Sequence, residues 1–137
     1  MTTLSDQTTR GVLDEVAAER REQDRQWGEQ NHPQADPVIL ARLSDDGPHS
    51  SAAAVAQRLA EQYEVPTAHR AKFICESERP TTWVGIAVEE LAEAVEAATQ
   101  GWPKQRQEWL QLAAVAVVAI EAGDRAAAAT AVEEART

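Results

Sequence analysis

Three acidic residues in one short segment could do chemistry together. Glu89, Glu90 and Glu93 lie within residues 83–97, where apolar residues recur with the period of a helix. At 100° per residue, Glu90 and Glu93 are one turn apart on the margin of the apolar face, and Glu89 lies further toward solvent. Like charges at this spacing repel unless a cation or a positive side chain lies between them. The pattern therefore indicates a pair of carboxylates that needs a cation.

A second polar pair, Glu108 and Gln111, opens the next predicted helix, about residues 104–122. The intervening turn, residues 101–103, is short, so we expect the two helices to run antiparallel. At 1.5 Å per residue, the two pairs then come within a turn or two of the same level. Three carboxylates and an amide oxygen would form a hard-oxygen site suited to Mg²⁺ or Mn²⁺. The competing interpretation is a solvated acidic helix surface, because glutamate is common there.

Length and composition predict a single all-α domain over residues 1–137. The hydrophobic content is 43%, the aromatic content is only 4%, and alanine is abundant. Alanine favours helices and lets them approach closely, whereas the β-branched runs and alternation of strands are scarce. We expect a helical bundle of about five or six helices.

Charge and cysteine content exclude several classes of function. The chain has 23 acidic and 13 basic residues, a net charge of −10, which argues against nucleic acid or an anionic membrane as a partner. The longest apolar run, residues 112–120, is too short to span a bilayer. Cys75 is the only cysteine and fits a reducing compartment, and the polar N-terminus lacks the apolar region of a signal peptide. We therefore expect a cytoplasmic protein.

The remaining pattern divides the chain into helices and one long loop. We predict a core over about 10–122, followed by an Ala-rich terminal helix over 124–136. The other predicted elements are, in chain order, a helix over about 5–26, a loop over 27–50 containing a short apolar segment, a helix capped by Ser50 or Ser51 and ending near Tyr63, a helix from Pro66 to about Glu76, the acidic helix capped by Thr81 or Thr82, and the helix over 104–122 ended by Gly123. Because residues 112–120 are apolar nearly all round the helix, we expect them to be buried centrally and the protein to form at least a homodimer.

The first helix carries polar residues where a core-facing helix usually carries leucine. Arg20, Asp24 and Trp27 continue the stripe that begins with Leu13 and Val16. One interpretation is an ion pair between Arg20 and Asp24 at the solvent edge. The other is that this end of the helix lines a polar cavity.

The two acidic motifs resemble a known protein family. Glu89-Glu90-Leu-Ala-Glu93, followed by Glu108-Trp-Leu-Gln111, resembles the EExxE…ExxD signature of the MazG-like family, within the all-α NTP pyrophosphohydrolase superfamily. The resemblance covers about residues 10–122 and extends to Arg20-Arg-Glu-Gln-Asp24, Trp27-Gly-Glu-Gln-Asn-His32 and Trp83. It implies an α-helical bundle, usually a dimer or a dimer of dimers, that hydrolyses a nucleoside triphosphate to the monophosphate and pyrophosphate.

By this resemblance Glu90, Glu93 and Glu108 match the metal ligands, and Glu89 matches an accessory catalytic carboxylate. Gln111 departs from the signature, which has Asp at this position. A glutamine oxygen can still coordinate Mg²⁺, but it brings no charge and binds more weakly. The implied mechanism is metal-assisted attack of water on the α-phosphorus, with one carboxylate accepting the proton of the water.

Two functions follow as hypotheses. The first is a Mg²⁺-dependent nucleotide pyrophosphohydrolase, and the second is a catalytically degenerate helical dimer that binds nucleotide or a protein partner. The candidate substrate-binding residues are, for the phosphates, Arg20, Arg70, Lys72 and Lys104; for the base, Trp27 and Trp83; and, on the polar face of the first helix, Asp24. The sequence does not choose among the four cations. The simpler interpretation of each tryptophan is an aromatic side chain that packs in the core.

Overall fold

The computed structural model describes residues 4–44 and 51–137 of the chain. Within these residues there are six helices and no strand, which confirms the all-α prediction. The helices are α1 (Leu4–Trp27), α2 (Pro37–Ser44), α3 (Ala52–Gln62), α4 (Ala68–Ser77), α5 (Trp83–Ala97) and α6 (Trp102–Arg136). None of the helices in the described ranges combines the length and the apolar character needed to cross a bilayer.

Side-chain caps fix where three helices begin. Ser51, Thr67 and Thr82 have extended backbones, and each side-chain oxygen accepts a hydrogen bond from the backbone N–H three residues further on. Ser51 and Thr82 were predicted as caps; the alternative Ser50 lies outside the described residues. The prediction that Pro66 opens α4 is wrong, because Thr67 caps that helix and Pro66 precedes the cap.

A short helix interrupts the predicted loop over residues 27–50. The carboxylate of Asp36 accepts hydrogen bonds from the backbone N–H groups of Val38 at 2.9 Å and Ile39 at 3.4 Å, where α2 begins. The hydroxyl of Tyr63, just after α3, accepts a hydrogen bond from the Asp36 backbone N–H at 2.8 Å. This apolar segment is therefore a helix that packs against α3, rather than part of an extended loop.

Helix α6 does not end at Gly123, so the prediction of a separate helix over 124–136 is wrong. A single helix runs through Gly123 to Arg136, about 52 Å at 1.5 Å per residue. Glycine costs a helix interior about 1 kcal/mol relative to alanine, and the alanines that follow have the highest helix propensity. Gly123 also has a φ outside the left-handed region that commonly ends a helix.

Residues 112–120 are not buried centrally, contrary to the prediction. Every residue of this run is at least partly exposed, and Val118 and Ile120 are 39% and 43% exposed. The helical period was predicted correctly, but the rest of the chain covers only part of the circumference of this segment. In the single chain, several apolar side chains of this segment therefore remain exposed.

The described residues form two compact units. That the whole chain is one domain stays a prediction. In the first unit, residues 4–31 with 116–137, Val12 is buried and the Thr9 hydroxyl donates to the buried carboxylate of Glu121 at 2.7 Å. The second unit comprises the described part of residues 32–115, with α5 packed between α3 and α4. Its core consists largely of small side chains: Ala56, Leu59, Ala60, Ala71, Cys75, Ala92, Ala94 and Ala97.

The cap of α5 can be tested with two adjacent threonines. Thr82 Oγ1 accepts from the Gly85 N–H at 2.9 Å and donates to the Glu78 carboxylate at 2.9 Å. We expect Thr82→Ala to lower the free energy of unfolding by about 1 kcal/mol, the typical loss for an N-cap. Thr81→Ala removes the same atoms from an exposed neighbour and should change it by less than about 0.5 kcal/mol. Urea denaturation measures both, and equal losses would contradict the assigned cap.

Candidate metal centre

Three carboxylates converge between α5 and α6. One oxygen from each of Glu90, Glu93 and Glu108 lies within 4.8 Å of the other two. Glu108 is only 4% exposed, and the two glutamates of α5 are half-buried. The structure thus brings together the three residues whose sequence spacing predicted a shared site.

Small side chains and one buried hydrogen bond hold the two helices at this distance. Ala94 and Ala97 of α5 are 0% and 1% exposed, so neighbouring residues cover both completely. Gln105 of α6 is buried, and its Nε2 donates to the backbone carbonyl of Ala94 at 3.3 Å. Because Glu108 follows Gln105 by one helical turn, its carboxylate is directed at α5 as well. This buried glutamine was not identified from the sequence, although its i, i+3 relation to Glu108 was readable.

A lysine of α6 already pairs with the most buried carboxylate. Lys104 Nζ lies 2.8 Å from Glu108 Oε1, at the i, i+4 spacing typical of helical ion pairs. The lysine side chain is 49% exposed, whereas that of Glu108 is 5% exposed. The ion pair and its hydrogen bond raise the pKa of Lys104, so the ammonium is charged at neutral pH. Of the four predicted phosphate-binding cations, this is the one that contacts the cluster.

Gln111 covers the opposite side of the cluster with an amide donor. In the orientation that satisfies both carboxylates, its Nε2 donates to Glu90 Oε2 at 3.1 Å and to Glu108 Oε2 at 3.2 Å. The sequence prediction was that Gln111 offers its oxygen to a metal ion. To do so, the amide would have to turn over and release both carboxylates.

Burial and mutual repulsion raise the pKa values of the two carboxylates of α5. Burial is the main cause that raises the pKa of Glu93 to about 7, followed by the charge of Glu90 and a hydrogen bond with Glu108. Burial also raises the pKa of Glu90, with smaller contributions from Glu108 and Glu89. The cluster therefore holds more negative charge than its own donors compensate.

The residues fit a divalent cation with hard-oxygen preference. Oxygens bound to one Mg²⁺ lie up to about 4.2 Å apart, twice the usual Mg–O distance, and the three carboxylates are already close to that separation. Carboxylates without nitrogen or sulfur donors are ligands for Mg²⁺, Mn²⁺ or Ca²⁺ rather than for zinc. The raised pKa of Glu93 is the electrostatic signature expected where a positive charge would be stabilising.

Glu89 faces another partner. It is half-buried and lies outside the group of three converging carboxylates. Burial, followed by a hydrogen bond with Glu89, raises the pKa of the Cys75 thiol on α4. Glu89 therefore acts on the cluster through its charge, which contributes to the raised pKa values of Glu90 and Glu93.

The predicted residues of α1 are exposed in their own compact unit. Arg20 Nη2 lies 2.8 Å from Asp24 Oδ1, and both side chains are more than half exposed. This geometry favours an ion pair at the solvent edge over a polar cavity at this end of α1. Trp27, at the end of α1, is 57% exposed.

The other predicted substrate-binding residues are exposed on α4 and α5. The Arg70 guanidinium lies over the Phe73 ring at 5.5 Å, and Lys72 is exposed beside them. Trp83 is the first residue of α5 and is 41% exposed. Among residues 4–44 and 51–137, no hydrogen bond or ion pair joins these side chains to the carboxylate cluster.

A cavity of about 340 Å³ lies in the second unit and was not predicted from the sequence. Its walls include Leu59, Tyr63, Leu91, Val95 and Trp109. The indole Nε1 of Trp109 donates to Gln34 Oε1 at 3.1 Å. On α5, Leu91 and Val95 lie about 100–160° around the helix from Glu90 and Glu93, so the cavity and the cluster occupy different faces.

Comparison with known proteins adds no relative: no family model, no curated protein and no solved structure matches the chain. The fold and the site together define an all-α protein with a carboxylate cluster across an antiparallel helix pair. The MazG-like resemblance rests on the motif residues of α5 and α6 and stays a prediction.

The raised pKa of Glu93 predicts how stability depends on pH. Its value of about 7 in the folded protein exceeds the value of about 4.3 in an unfolded chain, so the folded state binds the proton more tightly. The stabilisation is complete below about pH 4 and is lost as the pH rises through 7. We expect the free energy of unfolding to fall between pH 5 and pH 8, and to fall less in Glu93→Gln.

Urea denaturation in chelator at pH 5, 6, 7 and 8 tests this prediction. Glu134→Gln, at the exposed end of α6, removes one charge far along the sequence from the cluster and serves as the matched control. Wild-type and Glu93→Gln proteins with parallel pH profiles would contradict the assigned proton.

Proposed function

We propose that the protein is a Mg²⁺-dependent nucleotide pyrophosphohydrolase that converts a nucleoside triphosphate to the monophosphate and pyrophosphate. The observation that carries the proposal is the convergence of Glu90, Glu93 and Glu108, which are also the residues that match the MazG-like motif. A cage of carboxylates at a bundle interface suits a ligand that brings its own divalent cation. The strongly acidic chain would otherwise repel a triphosphate.

Glu90, Glu93 and Glu108 would hold the metal ion. Mg²⁺ or Mn²⁺, when bound, would neutralise phosphate charge and polarise the attacking water. Occupancy would lower the pKa of Glu93 and release its proton, because a cation favours the ionised carboxylate. Glu89, which lies beside the ligands without belonging to the cluster, remains as the accessory carboxylate near the site.

Among the described residues, Lys104 supplies a positive charge at this site for the phosphates. Lys104 is half-exposed on a flexible stem, and an ammonium on such a stem is a common phosphate ligand. The nucleophile would be water, which attacks the α-phosphorus while pyrophosphate leaves and a carboxylate accepts the proton. The base and sugar of the nucleotide stay unassigned.

Gln111 favours a second candidate function. Its amide donates to two of the three carboxylates, so the chain compensates part of the cluster without a metal ion. A protein that had lost catalysis could keep this arrangement as a nucleotide-binding or protein-interaction module. The two candidates differ in turnover.

Pyrophosphate release from a panel of nucleoside triphosphates with Mg²⁺ or Mn²⁺ distinguishes them. We expect wild-type activity, and a loss of at least about a hundredfold in Glu93→Gln, because one charged ligand is removed. Gln111→Asp restores the carboxylate of the motif and should tighten metal binding. Wild-type release no greater than that of Glu93→Gln would refute the enzyme and leave the binding module.

The stability of the folded protein provides the control for this experiment. A divalent ion that binds only the folded state raises its melting temperature. Wild-type protein should respond to millimolar Mg²⁺ or Mn²⁺, and the Glu90→Gln, Glu93→Gln double variant should stay folded without responding. Equal responses would show that the ion binds elsewhere.

We also propose that the protein forms a homo-oligomer, a dimer or a dimer of dimers. Four large aliphatic side chains of α6 are between 39% and 54% exposed in the single chain: Leu110, Val118, Ile120 and Val132. A second copy could cover such side chains through an equivalent surface of its own. The buried, unpaired Cys75 and the net charge support a cytoplasmic protein whose partners are neither nucleic acid nor membrane.

Light scattering at micromolar concentration tests self-association. We expect at least twice the mass of one chain, and a shift toward monomer in a Val118→Glu, Ile120→Glu variant, because two charges would be placed among apolar side chains. A surface control is Glu133→Lys, near the exposed end of the same helix. A monomeric wild type would contradict the proposal.

A further inference from the structure

Glu108 uses both of its oxygens within the chain. Oε1 lies 2.8 Å from Lys104 Nζ, and Oε2 lies 3.2 Å from the amide nitrogen of Gln111. The carboxylate is buried, so each of these contacts replaces water that burial has removed. Because a carboxylate can accept more than two contacts, a divalent cation could bind Glu108 without displacing a neutral donor, whereas the positive ammonium of Lys104 would be repelled by it.

The two partners differ in what displacement costs. Gln111 bridges Glu90 and Glu108, so its removal frees two acceptors at once. Lys104 makes one contact with the cluster, and its side chain is 49% exposed, so water can solvate the ammonium as soon as it leaves. A cation brought close to the carboxylates also repels the ammonium. Lys104 is the partner that leaves most easily.

The released ammonium stays near the site. Lys104 begins one helical turn before Glu108, and its four-carbon stem can move without any backbone change. An anion bound to the metal ion would therefore find a free cation within reach, at the exposed side of the cluster.

From this arrangement we propose that Lys104 is an exchangeable counter-ion: it occupies Glu108 until a divalent cation arrives, then transfers to the phosphate oxygens of the ligand. The inference rests on the proposed metal site and adds its order of events. Lys104 opposes binding of the metal ion alone and favours binding of the anion that follows. No covalent bond changes in this exchange.

The proposal predicts effects of opposite sign from one substitution. In Lys104→Gln, Mn²⁺ alone should bind about two- to fivefold more tightly, because no ion pair has to be broken. Inorganic triphosphate should bind the Mn²⁺-loaded protein about tenfold more weakly, because a charge-assisted contact is lost. A residue that merely holds the helix in place would weaken both steps.

Arg106→Gln is the matched control. Arg106 is exposed and lies two positions from Lys104, about 200° around α6, so the variant makes the same change in net charge without touching the ion pair. Comparing the two variants removes the general effect of charge on cation binding. Lys104→Arg restores a cation and should return both affinities toward wild type, and Lys104→Met keeps the length of the stem if the glutamine folds poorly.

Calorimetric titration of the full chain measures both steps. Mn²⁺ is titrated first in the absence of anion, and inorganic triphosphate is then titrated with Mn²⁺ in excess of total anion. Opposite shifts in Lys104→Gln relative to Arg106→Gln would support the exchange. Equal affinities in these two variants, or weaker Mn²⁺ binding in Lys104→Gln, would overturn it while leaving the metal site intact. Wild-type Mn²⁺ binding that is absent, or unchanged in the Glu90→Gln, Glu93→Gln variant, would overturn the metal site and the exchange together.

Discussion

The buried carboxylate of Glu108 is the constraint on which the candidate site depends. A charge that is removed from water is stable only if other charges or donors replace the lost hydration. In this chain the replacements come from the same helix, one turn to either side, as an ammonium at position 104 and an amide at position 111. The two glutamates of α5 oppose this compensation, and because the pKa of Glu93 is raised to about 7, its partial protonation near neutral pH relieves part of the repulsion. The charge state of the site therefore depends on how far these donors offset the negative carboxylates.

The rest of the second unit keeps that balance in place. Gln105 ties α6 to a backbone carbonyl of α5, and Ala94 lies against it with no exposed surface. Thr82 fixes the start of α5, and α3 and α4 pack along the same helix. Helical elements, rather than loops, therefore carry every carboxylate of the cluster, which limits how far their oxygens can move apart.

Local spacing was enough to predict the cluster of carboxylates. It was not enough to predict which cation contacts them. The i, i+3 pairs and the short turn at residues 101–103 placed Glu90, Glu93 and Glu108 together, because an antiparallel helix pair leaves little choice of register. The same reasoning did not show which of the four candidate cations lies at the cluster. The i, i+4 spacing of Lys104 and Glu108 was readable, but spacing alone does not say which exposed lysine pairs with a buried acid.

Two of the wrong predictions followed a local pattern whose outcome the surrounding residues decide. Gly123 was read as the end of a helix from its local propensity, whereas the alanines on its C-terminal side make continuation favourable. Burial of residues 112–120 was expected because apolar residues occur all round this helix. That pattern does not show how many neighbouring residues are available to cover them. The cavity beside Trp109 depends on side chains from four separate segments, and no single periodic pattern contains them.

The fully buried alanines of α5 would influence ion discrimination at the proposed metal site. Ala94 and Ala97 have no rotatable side chain beyond Cβ, so the gap between the helices cannot be adjusted by a change of rotamer. Selectivity between Mg²⁺ and the larger Ca²⁺ depends on the size and rigidity of the space between ligands. At the proposed metal site, the hydrogen bond between Gln105 and the Ala94 carbonyl would help to set that space, so residues that never touch the ion would discriminate ionic radius.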